Sequence, residues 1–353
     1  MWINKRFWTM ALVLCASLAE PAITMGGGLK PKDINELRVH VLNVGDALCS
    51  VVECPGSDTD ALVFDCGKFG NGVMDDKQIK SYLATVLDGK TVRVVLSHPD
   101  NDHVNKINNI PSKQVNVVYL GSDYAGYKGT ELLNWLNGLK DKVKYGFLNG
   151  ISFVANDLAC GQATTEILTV NAGKWLGDDQ QKRNTDSLVA AVSYGKFTAV
   201  FPGDADSQTL ASILFNKKGG PIRASLLVAS HHGSTKNGEN GFLWDLALTP
   251  EAVIYSAGNS TTNPRCMDIT WAQKKVDENR STAFAYKSTK NDAPQHVVRC
   301  NTGQISPYET WWTMSSTQKQ HVTYLSGIVI MTVDQSGKDT VVCLDNAGDV
   351  RPC

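Results

Sequence analysis

The chain of 353 residues contains no C-x-x-C pair, which argues against a thiolate zinc ribbon. No G-x-G-x-x-G follows an early strand-like run, so the usual dinucleotide cradle of a Rossmann sheet is missing. Charge of one sign is missing too. Lys and Arg number 34 against 35 Asp and Glu, a formal net charge of −1. No global basic field therefore points to nucleic acid or an anionic membrane. The apolar stretch from Thr9 to Leu18 is too short for a comfortable membrane span.

That stretch reads instead as the core of a signal peptide over residues 1–19. Lys5 and Arg6 precede it, and the small residues Ser17 and Ala19 stand at −3 and −1 of a cleavage point before Glu20. The expected location is exported, periplasmic or extracellular, with no stable membrane association once the leader is removed. Cysteine usage agrees. Nine cysteines less Cys15 leave Cys49, Cys54, Cys66, Cys160, Cys266, Cys300, Cys343 and Cys353. An even set in an exported chain predicts disulfides. Connectivity does not follow from the sequence; closeness along the chain favours Cys49 with Cys54 and Cys343 with Cys353.

Residues 20–36, with Met25-Gly26-Gly27-Gly28 and Pro31, read as a linker. From Leu37 the pattern turns to strands. A run through Val39, Val41 and Val44 ends at Gly45-Asp46. Two more runs, 50–53 and 61–64, are split by Pro55-Gly56-Ser57-Asp58, which predicts a β-meander. Ile79, Tyr82, Leu83, Val86 and Leu87 recur at helical spacing. A short apolar strand at 92–96 follows, then a strand at 115–120 and a helix through Leu132, Trp135, Leu136 and Leu139. The second half repeats this alternation and ends on a hairpin around Ser336-Gly337. Two facing sheets with helices outside, α/β/β/α, satisfy the pattern as a single layered domain over 37–353. Residues 287–325 are polar, fit no period and contain Trp311 and Trp312; they are expected to be an insertion.

The chemistry concentrates in His98-Pro99-Asp100-Asn101-Asp102-His103, directly after the 92–96 strand. A loop at a strand end can fold such side chains around one centre. Imidazole nitrogen with carboxylate oxygen suits zinc, manganese or iron.

This segment resembles the H-x-H-x-D-H metal motif of the metallo-β-lactamase superfamily, with Asp100 in place of the second histidine. The H-x-D-x-D-H form is similar to the hydrolase domain of ComEC-type DNA-uptake proteins. Other landmarks follow in family order over about residues 37–340. Leu42-Asn43-Val44-Gly45-Asp46-Ala47 resembles the opening LDVGQGDA segment, shortened by two residues. Phe64-Asp65-Cys66-Gly67 resembles the D-x-G turn, Asn184-Thr185-Asp186-Ser187-Leu188-Val189 the N-x-x-S-L-V segment, Phe201-Pro202-Gly203-Asp204-Ala205-Asp206 the TGDxE segment, and Ser230-His231-His232-Gly233-Ser234 the HHGS segment.

The resemblance implies a four-layer metallo-β-lactamase sandwich with two divalent metal ions, zinc or manganese. His98, Asp100 and Asp204 are expected on one metal, and Asp102, His103, Asp204 and His231 on the other. His232 is expected to assist proton transfer or grip the scissile group, and Asp65, Asn184 and Ser187 to support the ligands from behind. The implied activity is hydrolysis of a phosphodiester by metal-activated hydroxide, with DNA as the leading substrate. Alternatives are a small phosphoester of phosphocholine type, a lactone or lactam, or a secreted binding or toxin-like protein on a degenerate scaffold. Departures from the family pattern are Asn105 and Lys106 in place of glycines, and Asn263-Pro264-Arg265 where relatives often carry a His-Pro pair. His40, His296 and His321 lack such neighbours and read as structural or surface residues.

Overall fold

β-Branched residues crowd the first strands, where branching at Cβ stiffens χ1 and favours a pleated backbone. In chain order the strands begin β1 (Leu37–Val41), β2 (Cys49–Glu53), β3 (Asp60–Cys66), β4 (Thr91–Leu96), β5 (Val115–Leu120) and β6 (Val143–Lys144). They continue with β7 (Phe153–Val154), β8 (Thr164–Thr169), β9 (Val189–Tyr194), β10 (Phe197–Phe201), β11 (Leu226–Val228) and β12 (Ala252–Tyr255). The last are β13 (Val297–Asn301), β14 (Trp311–Ser315), β15 (Gln320–Val322), β16 (Ile328–Val333), β17 (Asp339–Leu344) and β18 (Val350–Arg351). The helices are α1 (Asp76–Val86), α2 (Asn101–Val104), α3 (Thr130–Leu139), α4 (Ala172–Trp175), α5 (Ser207–Asn216) and α6 (Gly241–Leu248).

This computed structural model describes residues 32–71, 73–175, 184–216, 222–234, 241–258, 260–261, 263–264, 297–301, 311–315, 320–323, 327–346 and 349–351. The expected signal peptide and most of the linker and insertion lie outside the described residues. Of the 287–325 stretch, β13 and β14 pair with each other, whereas β15 joins a main sheet.

A nine-stranded sheet runs β18-β17-β16-β1-β2-β3-β4-β5-β6, and a seven-stranded sheet runs β15-β12-β11-β10-β9-β8-β7. The expected meander is present as antiparallel β1-β2-β3, and the expected C-terminal hairpin β16-β17 adds to it through β1. One core lies between the sheets, with Phe64 stacked on Phe201 at a centroid distance of 4.0 Å. A second joins the other face of the larger sheet to α1 and α3. A third does the same for the smaller sheet with α5 and α6. The fold is therefore an α/β sandwich, layered helix, sheet, sheet, helix. Helices on both outer faces leave the central parallel strands buried on two sides.

Local signals agree with the elements. Asp75 caps α1 through a reciprocal capping box with Gln78, and Ile79, Tyr82, Leu83 and Val86 form its buried face. Strands β3, β4 and β5 are parallel, as are β10, β11 and β12. Their carboxyl ends open onto a common edge, the place where α/β sheets bind ligands. No helix among the described residues is long and apolar enough to cross a membrane.

The disulfide pattern corrects the expectation for Cys54, which bonds to Cys160 across a Cα separation of 4.8 Å. Cys49 and Cys54 lie along one extended strand, where five residues span about 16 Å, beyond disulfide reach. Cys49 and Cys66 are buried free thiols. Cys343 is disulfide-bonded; its expected partner, Cys353, lies outside the described residues.

A buried charge network ties β1 to β2. The His40 ring bridges Tyr82 Oη at 2.7 Å and Glu53 Oε1 at 3.0 Å, and Lys90 Nζ reaches Glu53 Oε2 at 2.5 Å. His40 is thus structural, as expected. Burial opposes ionisation of Glu53, but His40 and Lys90 outweigh it and hold the carboxyl well below its ordinary value. A carboxylate with a depressed folded-state pKa stabilises the fold fully above its unfolded pKa of about 4.3. That contribution is lost as pH falls toward the folded-state pKa. Glu53→Gln is expected to cost about 3 kcal/mol at pH 7. In urea unfolding, the gap to wild type should shrink as pH is lowered below 4; a gap that persists unchanged in acid would contradict this account.

Candidate metal centre

Five strand ends supply the site. Asp65 ends β3, His98 follows β4, Asp204 follows β10, the His231-His232 pair follows β11, and Ser256 follows β12. Asp65 is buried and left-handed at φ 55°. Its Oδ1 accepts the Ser97 amide at 2.7 Å. Its Oδ2 accepts the Ser97 hydroxyl at 2.7 Å and His103 Nδ1 at 2.9 Å. One carboxylate thus fixes both the exit of β4 and the ring of α2.

The loop between them is held by backbone. The Leu48 amide donates to the Asp102 carbonyl at 3.0 Å, the Gly67 amide to the Leu48 carbonyl at 2.8 Å, and the Lys106 amide to the Cys66 carbonyl at 2.9 Å. Gly67 is required by this approach, because a Cβ there would lie 1.8 Å from the Asp102 carbonyl oxygen. Gly203 is required twice over: its φ is +59°, and a Cβ would lie 2.4 Å from Ser97.

Asp204 stands at the centre and is 3% exposed. Its Oδ1 faces His103 Nε2 at 3.0 Å and His232 Nε2 at 3.6 Å. Its Oδ2 faces His231 Nε2 at 3.4 Å and His98 Nε2 at 3.9 Å. Two side-chain sets therefore share one carboxylate. In the first, ligand atoms of Asp102, His103, Asp204 and His232 lie within 4.8 Å of one another and could hold a cation. In the second, Asp100 Oδ2 lies 3.7 Å from His98 Nε2, with His231 on the same side of Asp204.

His232 rather than His231 faces Asp102, with Nε2 to Oδ2 at 3.7 Å, while His231 faces the other oxygen of Asp204. The cause is backbone. His231 (φ 48°, ψ 44°) and His232 (φ 58°, ψ 20°) are both left-handed, a conformation costly for side chains with a Cβ and concentrated at functional sites. His232 Nδ1 donates to the Ser256 carbonyl at 2.8 Å, which fixes its tautomer and turns Nε2 inward. His231 instead meets Asn184, Nδ2 to Nδ1 at 3.3 Å. Ser187 lies beside Leu188, whose amide binds the Ser97 carbonyl at 2.8 Å. Sequence reasoning missed Ser97 and the Ser256 carbonyl. Ser97 adjoins the motif and could have been read from it, whereas a backbone acceptor carries no residue-type signal.

The centre has an electrostatic demand. Among the described residues, His98 Nε2, His103 Nε2, His232 Nε2 and Asp204 Oδ1 are buried without a hydrogen bond of adequate geometry. Leaving such atoms unmet costs about 1–3 kcal/mol each. A donor set of imidazole nitrogens and carboxylate oxygens satisfies divalent cations, so these residues fit a metal. Burial opposes the charged form of His103, yet Asp204 and Asp65 push its pKa well above the ordinary value. Burial likewise opposes ionisation of Asp204, and His103, His231 and His232 hold it well below. His98, buried and beside His103, is lowered to about 4.

No family model and no curated protein matches the chain. Solved structures similar to it include a CmlA beta-hydroxylase E377D mutant, with 14% identity and a TM-score of 0.43, over 72% of this chain and 52% of that one. The human tRNase Z short form gives 12% identity and a TM-score of 0.36, over 62% of this chain and 91% of that one. A protein of unknown function from Enterococcus faecalis V583 gives 15% identity and a TM-score of 0.33, over 55% and 49%. With TM-scores this low, the functional reading rests on the chain's own residues.

Asp65→Ala would strand the Ser97 amide and hydroxyl and His103 Nδ1 in the interior. A loss of about 3–5 kcal/mol is expected, measured by urea denaturation. A change below 1 kcal/mol would show that Asp65 does not organise the loop.

Proposed function

We propose that this chain is an exported, dinuclear-metal hydrolase that cleaves phosphodiesters, with DNA as the leading substrate. The observation that carries this reading is the division of Asp204 between two ligand sets, one oxygen to each. We assign Asp102, His103, Asp204 and His232 to one cation, and His98, Asp100, Asp204 and His231 to the other. Zinc or manganese held by these residues would supply Lewis acidity toward water and phosphoryl oxygens.

The remaining steps belong to the protein. Asp65 and the Ser256 carbonyl hold the Nδ1 protons of His103 and His232, so both rings present Nε2 to the centre. Asn184 orients His231. The Asp102 side chain is 31% exposed, and we assign its carboxylate to accept the proton of the attacking water. The sequence motifs support a phosphodiester substrate through the resemblance they carry.

A second reading, a small phosphoester, is favoured by the lysines. Lys68 and Lys106 are both spent on Asp76, at 3.2 and 2.8 Å. Lys113 lies with Lys90 and Lys142 at the opposite end of β4 and β5. A groove that tracks a nucleic-acid backbone needs unpaired cations. The non-enzymatic alternative, a degenerate scaffold used for binding, fits poorly with four buried polar atoms aimed at one centre.

Metal analysis should find about two equivalents of zinc or manganese per chain, and chelation should abolish turnover; a metal-free active protein would end this reading. Single-stranded DNA, duplex DNA and bis-p-nitrophenyl phosphate then separate the substrates. Cleavage of DNA is expected, and intact DNA beside rapid turnover of the small ester would select the second reading. Asp102→Ala should lower turnover by about 100-fold or more, since even outer partners of ligands cost about 10–100-fold. Its melting temperature should stay near wild type; undiminished turnover by this variant would refute the assignment.

A further inference from the structure

Two thiols in the floor of the centre play no part in the hydrolytic reading. Cys49 opens β2, Cys66 closes β3, and the two are register partners across this antiparallel pair. Both are free and fully buried. The ladder shifts register between Cys49 and Ser50, a β-bulge that leaves Asp65 unpaired and Cys49 opposite Cys66; paired residues in antiparallel strands stand about 4.5–5.5 Å apart at Cα. Disulfides span about 4.4–6.8 Å. The same strand already leads into one at Cys54, whose Cα lies 4.8 Å from that of Cys160.

We propose that Cys49 and Cys66 are a disulfide-forming pair, dithiol as seen here and cross-linked on oxidation. The oxidant is another disulfide. Both thiols give up their protons and together two electrons; one S–S bond forms between Cys49 and Cys66, and the donor's S–S bond breaks to two thiols. Because exchange requires access to a thiolate, the bond closes during folding or on opening of the β2–β3 pair. The neighbours give the link its consequence. Leu48, beside Cys49, donates to the Asp102 carbonyl, and Gly67, beside Cys66, donates to the Leu48 carbonyl. The cross-link would staple together the two strand ends on which the Asp102 loop rests.

The test is disulfide mapping of the full chain folded in a glutathione redox buffer, quenched in acid and denatured with N-ethylmaleimide. Cleavage before aspartates releases 46–57, 65–74 and 157–177, which carry Cys49 with Cys54, Cys66, and Cys160 respectively. The expected product joins all three fragments. Further cleavage after Glu53 should leave 46–53 attached to 65–74 alone. Reduction should free each piece, and Cys66→Ser should leave Cys49 capped by N-ethylmaleimide. If wild type instead carries N-ethylmaleimide on both Cys49 and Cys66 while 46–57 stays joined to 157–177, the proposal is wrong. Attachment of either cysteine to a different fragment overturns it equally. The wild-type map decides the question even where the serine variant fails to fold.

Discussion

The centre depends on the Asp65 carboxylate. It is buried at the end of β3, is held in a left-handed backbone, and meets three donors from a segment more than thirty residues later. Two of those donors are the amide and hydroxyl of one serine. They fix where β4 stops being a strand. The third is the outer nitrogen of His103, and its occupation sends the inner nitrogen toward Asp204. A hydrogen bond made in the interior to a charged acceptor is strong, and leaving any of its members unpaired is costly. The same contact that terminates a strand therefore selects a histidine tautomer.

The facing of the two sheets converts this local arrangement into a shared one. Asp65, His98 and the α2 residues come from the nine-stranded sheet; Asp204, His231 and His232 come from the seven-stranded sheet. Phe64 and Phe201, one residue before Asp65 and just ahead of the Pro202-Gly203-Asp204 turn, stack at 4.0 Å. The apolar core thus sets the separation at which the two halves of the centre meet. Ser97 then lies so close to Gly203 that no side chain fits between them. Packing between sheets, rather than any single loop, holds a buried carboxylate among four imidazoles.

Much of the fold was legible. Apolar runs and 3.6-residue periodicity located β4, β5, α1 and α3 closely, because each buries one face or a short apolar run. The C-terminal hairpin was legible from its turn, but its place beside β1 was not. Strand order depends on long-range pairing that no local pattern carries. The Cys54–Cys160 bond was hidden for the same reason, since it joins residues 106 apart in sequence. At the centre, the side chains from 98–103, 204 and 231–232 do converge, as the motif order suggested. The division of labour between His231 and His232 was beyond a residue-type argument, because it is decided by two successive left-handed dihedral pairs and by one backbone carbonyl.

The different facing of the two rings also bears on how the centre meets solvent. His232 is 4% exposed, turned inward and tied to Ser256, whereas His231 is 22% exposed and tied to the Asn184 amide. Adjacent identical residues have thus been given different environments by opposite anchors. The inner ring is rigidly oriented by a carbonyl on a buried strand end. The outer ring is oriented by a half-buried side chain. The difference is confined to these two rings, since Asp102 and Asp100 are about equally exposed and His98 and His103 are both fully buried. The asymmetry follows from the backbone at 231–232 and from the partner that each ring finds there.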